Sequence, residues 1–133
     1  MTIFERIIAG ELPSYKVMEN EHAYAFFDIN PVAEYHTLVI PKHPYVNIFD
    51  VSDEALRETL SLVRKVCKLY EEKLGMKNVQ IFSNNGKDGQ QEVFHLHYHI
   101  VPRWPDDGKN LRFPRGPEMT QERFVALLGA LNN

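Results

Sequence analysis

The chain has 133 residues, with 15 Lys and Arg against 18 Asp and Glu and a formal net charge of −3, which is room for one domain, residues 1–133, rather than two. With 44% hydrophobic and 25% charged residues its composition is that of a globular protein and excludes general disorder. The mild acidity excludes bulk electrostatic capture of polymeric nucleic acid or an anionic membrane, and a single cysteine, Cys67, excludes an internal disulfide framework and a Cys-rich metal site.

Ile3, Phe4, Ile7 and Ile8 recur at helical spacing, and Gly10 follows as a stop, so residues 3–9 are expected to form a short helix. Residues 15–18, 22–29 and 37–40 are rich in aromatic and β-branched side chains between turn signals, which predicts an antiparallel meander. Ser52 is placed to cap a long helix ending at Gly75, with Leu56, Leu60, Val63, Cys67, Tyr70 and Leu74 as its apolar stripe. That stripe makes Cys67 a small buried hydrophobe rather than a nucleophile.

Residues 78–83 and 93–103 read as two further strands joined by the polar loop Asn84 to Gln91. Residues 102–117, with four prolines and two glycines, read as an extended tail, and Thr120 as the cap of a last helix to about Leu131. The whole is expected to be α+β, an antiparallel sheet of about five strands with a long helix and short flanking helices. No apolar run approaches a membrane span, and with the cysteine-poor composition this suggests a cytoplasmic protein.

Histidine is the uneven residue, six in all, three of them in Phe94-His95-Leu96-His97-Tyr98-His99-Ile100-Val101. Strict alternation on a strand sends His95, His97 and His99 to one face, successive rings about 7 Å apart along the strand. Three chemistries compete for such a patch: satisfied structural rings, a three-histidine metal site for a metal-dependent hydrolase, and a metal-free phosphate site. No Cys, Asp or Glu is expected beside the rings, which counts against metal. The entering loop, with Asn84, Gly86, Gly89 and Gln91, can turn backbone N–H groups and uncharged amides toward an anion, which favours phosphate. It has neither the Walker nor the dinucleotide glycine spacing.

His95 to Val101 resembles the His-φ-His-φ-His-φ-φ signature of the histidine triad (HIT) family of nucleotide hydrolases and transferases. IFERIIAGELPSYKV resembles that family's opening helix and turn, FFDINPVAEYHTLVIPKH its ligand-strand region, and SNNGKDGQQEVFHLHYHIVPR its active-site hairpin. The resemblance implies a HIT-like fold and a phosphohydrolase that cleaves a nucleoside 5′-phosphoryl bond to an amine or a further phosphate. His97 would attack phosphorus to form a nucleotidyl-histidine. The surroundings of His95 would fix the tautomer of His97, His99 would donate to phosphate or leaving atom, and His36 would orient the triad.

Asn84 and Gln91 would hold phosphate, Asp28 the ribose hydroxyls, and Leu12, Phe26 and Ile29 the base of a small purine nucleotide. Taken without the resemblance, Leu12, Phe26 and Ile29 read as plain core and Asp28 as a turn cap. Phosphoramidates such as adenosine 5′-phosphoramidate and dinucleoside polyphosphates both fit as substrates, no cofactor or metal is implied, and a homodimer is expected, its basic, aromatic tail reaching the partner. The alternative of a nucleotide-binding module with little turnover stays open.

Three departures stand out. Gln90-Gln91-Glu92 occupies the place of Gly-Gln-Ser/Thr. Thr2 and Glu5 stand where some bacterial members carry zinc-binding cysteines. The third histidine is retained rather than replaced by the glutamine of the nucleotidylyltransferase branch.

Overall fold

A computed structural model of the protein describes residues 1–132. Helix α1 (Ile3–Ile8) is followed by strands β1 (Lys16–Glu19), β2 (Ala23–Phe27) and β3 (Thr37–Pro41). The long helix α2 (Asp53–Leu74), strands β4 (Asn78–Phe82) and β5 (Tyr98–Arg103), and helix α3 (Gln121–Leu131) complete the order. The strands form one antiparallel sheet in the order β1-β2-β3-β5-β4. The expected α+β class, strand number and helices are therefore present.

The helix ends follow from local chemistry. The Ser52 hydroxyl accepts the Ala55 N–H at the start of α2, and Gly75 closes it in the left-handed region at φ 71°, where a side chain would be strained. At α1 the Thr2 hydroxyl accepts from the Glu5 N–H at 3.2 Å, and the Glu5 carboxylate accepts from the Thr2 N–H at 3.1 Å. Thr2 and Glu5 thus form a capping box.

The sheet separates two cores. On one face α2 lays Leu62, Val63, Val66 and Tyr70 against Ala23, Ala25, Val39 and Ile100. On the other, Phe4 of α1 packs with Phe26, Leu38 and Ile40. The buried stripe of α2 is Ala55, Thr59, Leu62, Val63, Val66 and Tyr70, which corrects the predicted one. Leu60 is exposed, and Cys67 and Leu74 flank the core half-buried. Small Ala55 and Thr59 share the contact line with Leu62, and Leu60 lies off it.

The strand predicted over 93–103 is also corrected, because β5 begins only at Tyr98. β3 and β5 pair from Thr37↔Ile100 to Val39↔Tyr98. Continuing that register would set Pro41 opposite Leu96, and proline has no N–H to give the ladder. Instead the Leu96 N–H bonds the Tyr45 carbonyl at 2.8 Å. The predicted end of that strand at Arg103 is where β5 stops, with Pro102 and Arg103, also counted in the expected tail, paired with Val79 and Asn78 of β4.

Candidate active site

Only one of the three histidines rides on a regular strand. His99 is in β5, whereas His95 and His97 lie in the irregular run before it, so alternation along a strand does not set their directions. Backbone carbonyls do. His95 Nε2 lies 2.7 Å from the Pro41 carbonyl and His97 Nδ1 lies 2.8 Å from the His95 carbonyl. Carbonyls only accept, so each of those nitrogens carries its ring's proton. His97 is left with a lone pair on Nε2. The edge of Phe4 packs against both rings, with centroids 5.9 and 5.1 Å away. His95 Nδ1 is buried without a hydrogen-bond partner among the described residues.

His36 enters from the start of β3. Its Nδ1 accepts the Val32 N–H at 3.2 Å, and its Nε2 lies 2.9 Å from His99 Nδ1. A backbone amide only donates, so the neutral His36 ring holds its proton on Nε2 and gives it to His99 Nδ1. The His99 proton is thereby fixed on Nε2. Phe82 of β4 stacks flat on His99 at 4.4 Å and 12°, and the His97 and His99 rings are 5.0 Å apart.

Burial sets the charge of the cluster. Desolvation holds His36, His95 and His97 below the usual imidazole range. His99 is pushed down to about 4, by burial first and then by the neighbouring imidazoles. All four rings are neutral near pH 7, the state in which one nitrogen is a nucleophile and another a donor.

An acid does stand beside the rings, contrary to the sequence expectation. Asp28 Oδ2 lies 3.5 Å from His36 Nε2, and Asp28, His36 and His99 together offer three potential metal-ligand atoms. To bind metal at Nε2, His36 would have to move its proton to Nδ1, where it meets the Val32 N–H donor against donor. Metal-bound histidines instead point the other nitrogen's N–H at an acceptor. The arrangement suits a proton relay better than a metal centre. Among the described residues the ligand atoms of His95, His97 and His99 do not converge on one point as those of Asp28, His36 and His99 do.

The other predicted residues are spread around this cluster. Asp28 also takes the Asn30 N–H at 2.8 Å, the turn-cap role. Phe26 is 3% exposed within the α1-side core, Ile29 is 71% exposed, and Leu12 is half-buried. Asn84 is half-buried, at the start of the loop after β4.

Gln91 is buried and its amide is fully used. Its Oε1 accepts the Gly86 N–H and the Asn47 Nδ2–H at 2.9 and 3.2 Å, and its Nε2 donates to the Val46 and Val93 carbonyls at 2.7 and 3.1 Å. Four partners exhaust two donors and two acceptors, leaving nothing for phosphate in this arrangement. Gln91 is a brace between the 45–50 loop and the histidine segment.

Asn85 joins the same brace by accepting the Ile48 N–H at 2.7 Å. Gly89 is required here, since a Cβ would lie 2.4 Å from the Asn85 carbonyl oxygen. Gln90 takes φ 68° at the position where the resemblance expects glycine, and Glu92 is exposed. Sequence reasoning missed the bracing role of Asn47 and Asn85 and the partners that hold His36. All depend on loops that meet only in three dimensions.

Comparison with known proteins gives this geometry its family. Residues 9–106 match the HIT domain model. An uncharacterised HIT-like protein of Methanocaldococcus jannaschii is 42% identical over 113 residues, 85% of this chain and 87% of that protein. An adenosine 5′-monophosphoramidase of Saccharomyces cerevisiae is 42% identical over 101 residues, 76% of this chain and 61% of its own. The crystal structure of a histidine triad nucleotide-binding protein from Candida albicans superposes with a TM-score of 0.88 at 32% identity, covering 99% of this chain and 95% of that one. With the family model spanning the sheet and all three histidines, the chain belongs to the HIT family.

Proposed function

We propose that the protein hydrolyses a nucleoside 5′-phosphoryl bond to an amine or a further phosphate, with His97 as nucleophile. The observation that carries this reading is the pair of opposed proton placements, a lone pair on His97 Nε2 and a proton on His99 Nε2, in neighbouring neutral rings. His97 Nε2 forms a bond to the α-phosphorus while the bond to the leaving nitrogen or oxygen breaks, and that atom takes the proton of His99 Nε2. Water then attacks phosphorus and gives a proton back to His99 Nε2, the P–N bond to His97 breaks, and the nucleoside monophosphate leaves with both rings restored. Splitting one displacement into two lowers each barrier.

Membership of the family and the named activity of the yeast relative support a nucleotide substrate. In this reading Asp28 receives the ribose, Asn84 and the loop amides the phosphate, and Leu12, Phe26 and Ile29 the base. Metal has no assigned step. The low cysteine count fits a reducing, cytoplasmic setting.

A homodimer belongs to the same reading. Helix α3 buries no side chain, and Phe124, Val125, Leu128 and Leu131 face outward, an apolar surface that a second copy would cover. Sedimentation at micromolar concentration should show a dimer, and a monomer at all concentrations would contradict it.

The deciding experiment is release of AMP from adenosine 5′-phosphoramidate and from a dinucleoside polyphosphate, with and without chelator. Turnover of either substrate that survives chelation and disappears in His97→Ala is expected. Turnover retained in His97→Ala, or lost to chelator, would refute the mechanism.

A further inference from the structure

His36 sits beside an unusual backbone position. Tyr35, immediately before it, has φ 65°, in the left-handed region that ring-bearing residues seldom adopt. The His36 N–H bonds the Ala33 carbonyl at 3.2 Å across the turn, and further contacts hold the chain there from behind the sheet. The Thr37 hydroxyl donates to the Tyr35 carbonyl at 2.8 Å. The Tyr70 hydroxyl, on α2, lies 2.6 Å from that same Thr37 oxygen and, with the Thr37 proton already placed, is its donor. The Tyr35 ring is wedged edge-on between Phe27 at 5.8 Å and Tyr70 at 5.4 Å. Thr37 and Tyr70 are buried, so no water competes for these bonds.

Thr37 therefore faces α2 while its neighbour His36 faces the triad. A hydroxyl on the α2 side fixes the turn at Tyr35, the turn fixes where the His36 ring emerges, and His36 Nε2–H fixes the proton of His99. We infer that Tyr70 is a positioning residue for the reaction, acting across the sheet through Thr37 and the left-handed turn at Tyr35 on the His36–His99 pair. Its catalytic consequence rests on the proposed hydrolase mechanism, whereas its effect on the His99 proton does not.

The test follows from that separation. Tyr70→Phe removes one hydroxyl and keeps the ring, and Thr37→Val removes the relay hydroxyl at nearly constant volume. Thr37→Ser restores it. Thr59→Val deletes another buried α2 hydroxyl, one bonded only within the helix to the Ala55 carbonyl at 2.7 Å, and controls for lost stability alone.

Nitrogen-15 imidazole spectra of the full chain read the His99 tautomer directly. The wild type, Thr37→Ser and Thr59→Val should hold the His99 proton on Nε2, while Tyr70→Phe and Thr37→Val should show a mixture of the two tautomers. With adenosine 5′-phosphoramidate as substrate, kcat in those two variants should fall about fivefold to tenfold with KM changed less than about twofold, the signature of misplacement rather than lost binding. An unchanged His99 spectrum in both variants, whatever their melting temperatures, would overturn the inference. Absence of turnover in the wild type would refute the hydrolase reading and leave the spectral test standing.

Discussion

The two faces of the sheet are held by different forces. Against α2 the contacts are aliphatic, Leu62, Val63 and Val66 on Ala23, Ala25, Val39 and Ile100, and their stabilisation scales with area removed from water. On the opposite face, beyond the Phe4 core, the buried His36, His95 and His97 and the half-buried His99 are neutral and oriented by single hydrogen bonds to backbone carbonyls, a backbone amide and one another. The first face tolerates shifts of side-chain identity at similar volume. The second does not, because each ring's tautomer depends on one partner. Stability and chemistry are thus largely divided between the faces, with Thr37 and Tyr70 joining them.

The sharpest contrast comes from one substitution on each face. His97→Ala is expected to lower kcat by about a thousandfold or more with little change in melting temperature, read from AMP release and calorimetry. Leu62→Ala should do the reverse, costing about 3 kcal/mol in urea unfolding while kcat of the folded fraction stays within about twofold. If both variants lost activity and stability together, the division would be wrong.

Acid should act through the histidine face. Each buried ring has a folded-state pKa below its unfolded value, so below about pH 6.5 the unfolded chain takes up protons that the folded one refuses. Stability contributed by the neutral rings is therefore full above that range and lost as pH falls through it, on the order of 3 kcal/mol for His99 by the time pH reaches its folded value of about 4. Unfolding free energy between pH 7 and 4 should decline, and the decline should be smaller in His99→Gln. Identical slopes would contradict the burial of a neutral His99.

Gln91 tests the brace. Gln91→Met keeps the length but leaves the Gly86 N–H and the Val46 and Val93 carbonyls without their partner, at a cost of about 2 kcal/mol. The brace predicts lower stability with KM changed little. A raised KM at unchanged stability would return Gln91 to the phosphate.

These contrasts also explain what could be read from the chain. The α2 face was legible because helical periodicity and capping are local: Ser52, Gly75 and an apolar stripe suffice to locate the helix, though not to choose between stripes about one residue apart. The importance of His95, His97 and His99 was legible as a pattern. Their geometry was not, since Pro41, 54 positions from His95, ends the ladder that alternation assumes. Gln91 has the composition of an anion site and the geometry of a strut, a difference that exists only once the 45–50 loop arrives beside it. Ser52 capping α2 shows the converse, short-range chemistry that sequence spacing carries well.

The most direct test of the central claim is to trap the reaction part-way. Full-length protein mixed with adenosine 5′-phosphoramidate, quenched within the first turnover at a pH that preserves phosphoramidate bonds and digested for mass spectrometry, should carry an adenylyl group on His97. The adduct should be absent in His97→Ala. Turnover without an adduct under conditions that preserve a synthetic adenylyl-histidine standard, or an adduct on His95 or His99 instead, would contradict the account.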